Sequence, residues 1–253
     1  MDQFFIYREY GVFEGKGFEF FSGPHLAWLA AMFGFIAVYT VIYCRGNEKR
    51  RDNMRKGLAL FIILFEIIQQ CVNSFLKVPA GVYLPLEVCS FAEYFILADA
   101  MWPDNRITKQ FIPYAFLPSA FMALIQPTAS IYPPLSYYTV HQFVMHAGIV
   151  YYIIMRFAAD EIRPRYYGIW LALLIVNILI IPVGYIDMQL NQNYMFLMSH
   201  EGNPVLKAIW DMCGGHPGIL YTFGLEVLVA VTMHITYIVL TIVNKIRFGV
   251  RKQ

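Results

Sequence analysis

Runs of apolar residues recur seven times along this chain, at residues 25–43, 58–75, 82–101, 111–125, 138–157, 168–185 and 219–243. Most approach the roughly 20 residues that carry a helix across about 30 Å of hydrocarbon, and only the fourth is short. The pattern predicts an all-α membrane protein, a single domain over residues 1–253 built of seven transmembrane helices. Polar residues inside these runs are few and ordered. In the second run Glu66, Gln69, Gln70 and Asn73 fall at i, i+3, i+4 and i+7, a stripe on one helical face that must meet protein or water.

Charge between the runs sets the orientation. With the amino terminus outside and the carboxyl terminus cytoplasmic, 15 of the 19 basic residues fall in inner connections, leaving only Arg8, Lys16, Lys77 and Lys207 outside. This is the asymmetry of the positive-inside rule. The inner clusters, such as Arg51, Arg55 and Arg156, are expected to touch anionic headgroups. Nucleic acid is not an expected partner of a chain with net charge +2. Composition agrees with a multi-pass protein integral to the plasma membrane: 58 % hydrophobic, 14 % charged, mean hydropathy +0.52. Residues 1–24 lack a basic region followed by an apolar core and are rich in Phe and Tyr. They read as an interfacial segment and not as a cleaved leader. The longest connection, residues 186–218 on the outer side, has the length of a lid or binding loop.

The candidate chemistry lies in the outer half of the bundle. Within the third run Cys89 falls roughly 10 Å below the outer edge, with Glu93 one turn deeper on the same face and Glu87 turned largely away. The fifth run places His141 and His146 at overlapping depth; Gln142 shares a face with His146, and His141 is turned from it by about 140°. Glu226 enters at similar depth in the seventh run. Together with Glu66 and Gln70 these groups are expected to line one outward-facing cavity. A buried thiol needs a neighbouring base to take its proton as it attacks, and neutral imidazole oriented by a carboxylate or amide does this. The other cysteines, Cys44, Cys71 and Cys213, show neither a disulfide framework nor zinc-type spacing. No metal and no cofactor is expected.

The runs Leu84-Pro85-Leu86-Glu87-Val88-Cys89-Ser90, Gln142 to Ala147, Asn193-Tyr194-Met195-Phe196-Leu197 and Leu225-Glu226 resemble the YwaF-like integral membrane proteins of bacteria. Gly23-Pro24-His25, Glu66 with Gln70, and Gln126-Pro127 extend the likeness nearly end to end. That family is similar to an animal transmembrane family regarded as cysteine-dependent acyltransferases of phospholipids, and more remotely to androgen-induced intramembrane lipid hydrolases. The resemblance implies Cys89 as nucleophile, His146 as base, and a phospholipid or other acyl lipid as partner. One departure stands out: the family's glycine pair before the Asn-Tyr run is Asn191-Gln192 here.

Other readings compete. Glu66, Glu226 and the histidines would serve as relay groups in a small-solute or proton-coupled transporter. A sensor or scaffold without turnover is the third class. A retinal protein is excluded because no lysine lies in residues 219–243. His25 reads as an interfacial or capping residue as readily as a catalytic one, and Asn193 and Tyr194 either close the cavity or serve the turn they sit in. The sequence is silent on oligomeric state.

Overall fold

The computed structural model describes residues 4, 5, 7 and 17–250. Arg8, Lys16, Arg251 and Lys252, which enter the charge argument, lie outside the described residues, as does most of the expected interfacial segment. The described residues form helices joined by short turns, without strands: α1 (Gly23–Arg45), α2 (Glu48–Phe75), α3 (Val88–Met101), α4 (Arg106–Ala115), α5 (Leu117–Ile125), α6 (Tyr137–Ala158), α7 (Tyr167–Leu190), α8 (Pro204–Met212) and α9 (Ile219–Val250). The apolar runs 25–43, 58–75, 138–157, 168–185 and 219–243 lie within helix, and 82–101 and 111–125 do so only in part. Four of the described helices, α1, α2, α7 and α9, are long and apolar enough to cross a membrane. Their apolar side chains face outward, as Phe75, Ile181 and Ile219 do, which is the inversion expected where lipid replaces water.

At the centre stands α6, packed against α1, α5, α2 and α3 and buried along much of its length. Its start is capped by Ser136, whose Oγ accepts from Thr139 N–H at 3.3 Å. The expected fourth span is two short helices. Pro113 inside α4 and Pro118 in the first turn of α5 each lack the amide hydrogen a continuous helix would use, and the chain turns at Phe116. The third span also differs from its expected bounds. Residues 82–87 do not join the helix: a short 3-10 turn, Ala80–Val82, leads through Pro85 to Glu87, and α3 begins only at Val88.

At the end of the bundle where α1 runs into α2, several basic residues expected at headgroups turn into the protein instead. Arg156 is 1 % exposed, ion-paired with the fully buried Asp99, and donates from Nη2 to Pro103 O at 2.8 Å. Asp99 also accepts from Thr108 Oγ1 at 2.6 Å and Tyr152 Oη at 2.7 Å. Beside this pair Glu161 accepts from Arg156 Nε at 3.1 Å and from Tyr43 Oη at 2.8 Å, with Arg55 at 3.7 Å and Arg51 at 3.9 Å. These charges tie α1, α2, α3, α4 and α6 together through side chains that converge on Asp99 and Glu161.

The connection from α7 to α9 is shorter and more ordered than residues 186–218 suggest. The last turn of α7 continues to Leu190 and stops at Asn191, which adopts a left-handed conformation, φ 52° and ψ 47°. Asparagine tolerates that region nearly as glycine does, so the departure from the glycine pair keeps the backbone path of a helix C-cap. Farther along, Asn203 caps α8 through Val205 and Leu206 N–H.

Candidate active site

Cys89 is the second residue of α3. Its helix starts where it does because Glu87 is extended, φ −72° and ψ 156°, and spends its carboxylate elsewhere: Oε2 accepts from Met195 N–H at 3.0 Å instead of capping its own helix. The thiol therefore sits in a first turn and not inside a continuous span. It is half-buried against the main apolar core, and Sγ lies 3.9 Å from Ser119 Oγ. Ser119 belongs to the first turn of α5, and its hydroxyl donates to Ala115 O at 3.2 Å and Phe116 O at 3.1 Å, where α4 gives way to α5. A lone serine in an apolar run gave no signal in the sequence.

On α6, Nδ1 of His146 meets the carbonyl of Gln142 at 2.7 Å. Only a protonated ring nitrogen can donate to a carbonyl, so the neutral ring carries its hydrogen on Nδ1 and its free lone pair on Nε2. Gln142 is itself pinned, its Nε2 donating to Ala123 O at 3.2 Å. His141 faces α2. Its ring stacks on Phe65 at 4.9 Å, and Nε2 stands 3.6 Å from Glu66 Oε2, buried and without a hydrogen bond. Among the described residues no hydrogen bond joins Cys89 to either histidine.

The polar stripe of α2 folds as its spacing predicts. Gln70 donates to Glu66 and, at 3.2 Å, to Tyr83 O; Asn73 accepts from Tyr138 Oη at 2.8 Å and from Gln69 at 3.3 Å. It forms one wall of a cavity of about 320 Å³ whose other walls include Tyr83, Glu87, Ser90, Tyr132 and Tyr194. Of the groups expected to share one cavity, Glu66, Gln70 and Tyr194 line it. Cys89, His141, His146, Gln142, His25, Glu93, Asn193 and Glu226 do not, although Ser90 brings the wall to the residue next to the thiol. Glu87, expected to point away, lines this cavity because the chain before Val88 is extended and not helical.

Several candidates are committed to structure. His25 is fully buried: Phe21 N–H donates to its Nδ1 at 2.8 Å, and Nε2 donates to Leu124 O at 2.9 Å, so both ring nitrogens are occupied. Asn193 shapes its loop, accepting from Met198 and Ser199 N–H and donating to Ser199 O and Glu201. Tyr194 is buried and ties that loop to the approach to Cys89. Its hydroxyl donates to Gly81 O at 2.5 Å and accepts from Leu84 N–H at 3.1 Å, while its own N–H donates to Asp187 at 2.9 Å. Burial pushes this phenol up to about 12, which keeps it a donor. Glu93 is 3 % exposed, and among the described residues its buried Oε2 has no hydrogen-bond partner. Glu226 is half-buried, without a hydrogen bond or ion pair among the described residues. Cys44, Cys71 and Cys213 are free thiols. Among the described residues no three His, Cys, Asp or Glu groups gather as metal ligands, so His25, His141, His146 and Glu66 do not converge.

Comparison with known proteins yields one match. The family model described as the TMEM164 family matches residues 20–237, most of the chain and every helix that carries a candidate residue. No curated protein and no solved structure matches the chain.

Proposed function

The chain belongs to the TMEM164 family, and from that premise we propose that it is an intramembrane acyltransferase or lipid hydrolase, with Cys89 as nucleophile and His146 as base. The proposal takes the seven helical runs as seven crossings of the plasma membrane, amino terminus out and carboxyl terminus in. Its motifs resemble those of the YwaF-like proteins and of the cysteine-dependent phospholipid acyltransferases. The single observation that carries the reading is the state of His146. With Nδ1–H held by the Gln142 carbonyl, Nε2 is the nitrogen able to accept a proton.

The chemistry follows from these groups. The Cys89 thiol gives its proton to His146 Nε2 as sulfur adds to the carbonyl carbon of a phospholipid acyl ester. The ester C–O bond breaks, the imidazolium returns the proton to the departing lysolipid oxygen, and an acyl-thioester remains on Cys89. Attack by an acceptor hydroxyl completes transfer, and attack by water completes hydrolysis. A half-buried thiol suits this sequence because the acyl chain reaches it through an apolar core while the headgroup stays near the outer face.

A purified sample in lipid nanodiscs, supplied with a fluorescent acyl phospholipid, tests the reading. Acyl release or transfer is expected in the parent, together with an acyl adduct on Cys89 found by mass spectrometry. Cys89→Ala is expected to abolish both at unchanged membrane yield, and full turnover by that variant ends the proposal. Solute flux in proteoliposomes that survives Cys89→Ala but fails with Glu66→Gln would instead support a transporter.

A further inference from the structure

We infer that the cavity walled by α2, by the chain leading into α3 and by Tyr194 is a binding site for a primary ammonium group, held by the carboxylates of Glu66 and Glu87. The inference concerns binding alone and stands whether or not Cys89 carries an acyl group. Glu66 on α2 and Glu87 ahead of α3 both line this space, and no lysine, arginine or histidine lines it with them. A carboxylate drawn away from bulk water is costly unless a counter-charge meets it, and none of the lining side chains supplies one.

Each carboxylate has one oxygen committed and one open. Glu66 Oε1 accepts from Gln70, which also donates to Tyr83 O at 3.2 Å, and Glu87 Oε2 accepts from Met195 N–H at 3.0 Å. These bonds set the direction of both groups from the protein side. Glu66 Oε2 and Glu87 Oε1 have no hydrogen bond among the described residues; the former faces His141 Nε2 from 3.6 Å, too far for one. The wall meanwhile turns its amides on itself, Gln70 as above and Gln69 donating to Asn73 Oδ1 at 3.3 Å. A phosphate or carboxylate guest would add a third negative charge beside these two. An ammonium brings the opposite charge, three donors and no acceptor, and Glu66 Oε2, Glu87 Oε1 and the Ser90 hydroxyl are there to receive them.

The space suits an amine on a short stem. At about 320 Å³ it has the volume of roughly ten waters. Exposure grades along it: Glu87 is exposed, the Glu66 side chain is 12 % exposed and Asn73 only 2 %. A ligand therefore enters past Glu87 and its ammonium travels toward Glu66. Val82, Leu84 and Pro85 take the methylenes of the stem, and Tyr132 and Tyr138, stacked at 4.9 Å, add aromatic wall of the kind that attracts cations. Among the described residues no third His, Cys, Asp or Glu joins the pair, which favours an organic cation over a metal ion. A lipid headgroup and a free amine present this same group.

Two arms separate those sources. Purified protein in detergent is equilibrated with equal amounts of phosphatidylethanolamine and phosphatidylglycerol of the same acyl chains, and the retained lipid is identified by native mass spectrometry. The parent is expected to retain the amine lipid at least about fivefold over the glycerol lipid, and Glu87→Gln to bring that ratio below about twofold. The amide oxygen of Glu87→Gln still accepts from Met195 N–H, so the charge leaves while the backbone stays; Glu66→Gln is the second variant. In the other arm ethanolamine hydrochloride is compared with sodium chloride at equal ionic strength in thermal unfolding. Lipid preference without an ethanolamine-specific rise in Tm supports the site with a headgroup as its ligand. A rise in Tm lost in Glu87→Gln, without lipid preference, supports it with a free amine as its ligand. Absence of both overturns the inference, as does retention of the glycerol lipid over the amine lipid, or a preference kept in full by both Glu87→Gln and Glu66→Gln. Both arms are repeated on Cys89→Ala, so failure of the acyl-enzyme reading is distinguished from failure of this one.

Discussion

Replacing Tyr194 by Phe removes one oxygen and leaves the ring. That oxygen bonds Gly81 O at 2.5 Å and Leu84 N–H at 3.1 Å, so it holds both ends of the segment that delivers Glu87 and Cys89 to α3. A neutral hydrogen bond nets about 0.5–1.5 kcal/mol, and a buried partner left unsatisfied costs about 1–3 kcal/mol. Two partly buried partners are lost, for a local penalty of about 2–4 kcal/mol. Since about 1.4 kcal/mol is tenfold in an equilibrium, even the lower figure makes opening of residues 80–87 about 30-fold more frequent. Hydrogen exchange followed by mass spectrometry reads this directly. Exchange in that segment, with the Leu84 amide as reporter, is expected to rise about 30-fold or more while the centre of α6 stays protected. An unchanged rate over residues 80–87 would refute the reasoning, because it would mean that the phenol is not what pins the approach to the thiol.

Asp99→Ala leaves Arg156 buried with Glu161 as its remaining counter-charge and is expected to destabilise the protein by about 2–4 kcal/mol in thermal unfolding in detergent. Pairing it with Arg156→Met should recover most of that loss, and equal stability of the single variant and the parent would contradict the lock. Gly168→Ala places a Cβ 2.5 Å from the Tyr114 ring and 3.0 Å from Gln110 O, where α4 meets α7, and is expected to cost about 1–3 kcal/mol by the same assay.

Where periodicity governs, the sequence was readable. The four-residue stripe on α2 folds as one polar wall, and Ser136 starts α6 one residue before the expected boundary. What escaped needed knowledge of distant partners. Arg156 and Asp99 are 57 positions apart, and each alone reads as an ordinary charge near the cytoplasm. The break at Phe116 was readable in kind, since Pro113 and Pro118 stand five apart, yet the apolar run masked it. Treating residues 82–101 as one helix moved Glu87 to the wrong side. Pro85 and the hydrogen bond from Met195, which no local pattern signals, keep that stretch extended.

The kink at Phe116 ties the Cys89 sulfur to Ser119, 30 positions downstream. Ser119 meets two carbonyls at the junction of α4 and α5 and, with the same oxygen, lies 3.9 Å from the thiol sulfur. Adding or deleting a single residue between Pro113 and Ser119 would rotate that hydroxyl off Cys89 while leaving both helices intact. Length variation should therefore be tolerated in the connection between α7 and α9 long before it is tolerated here.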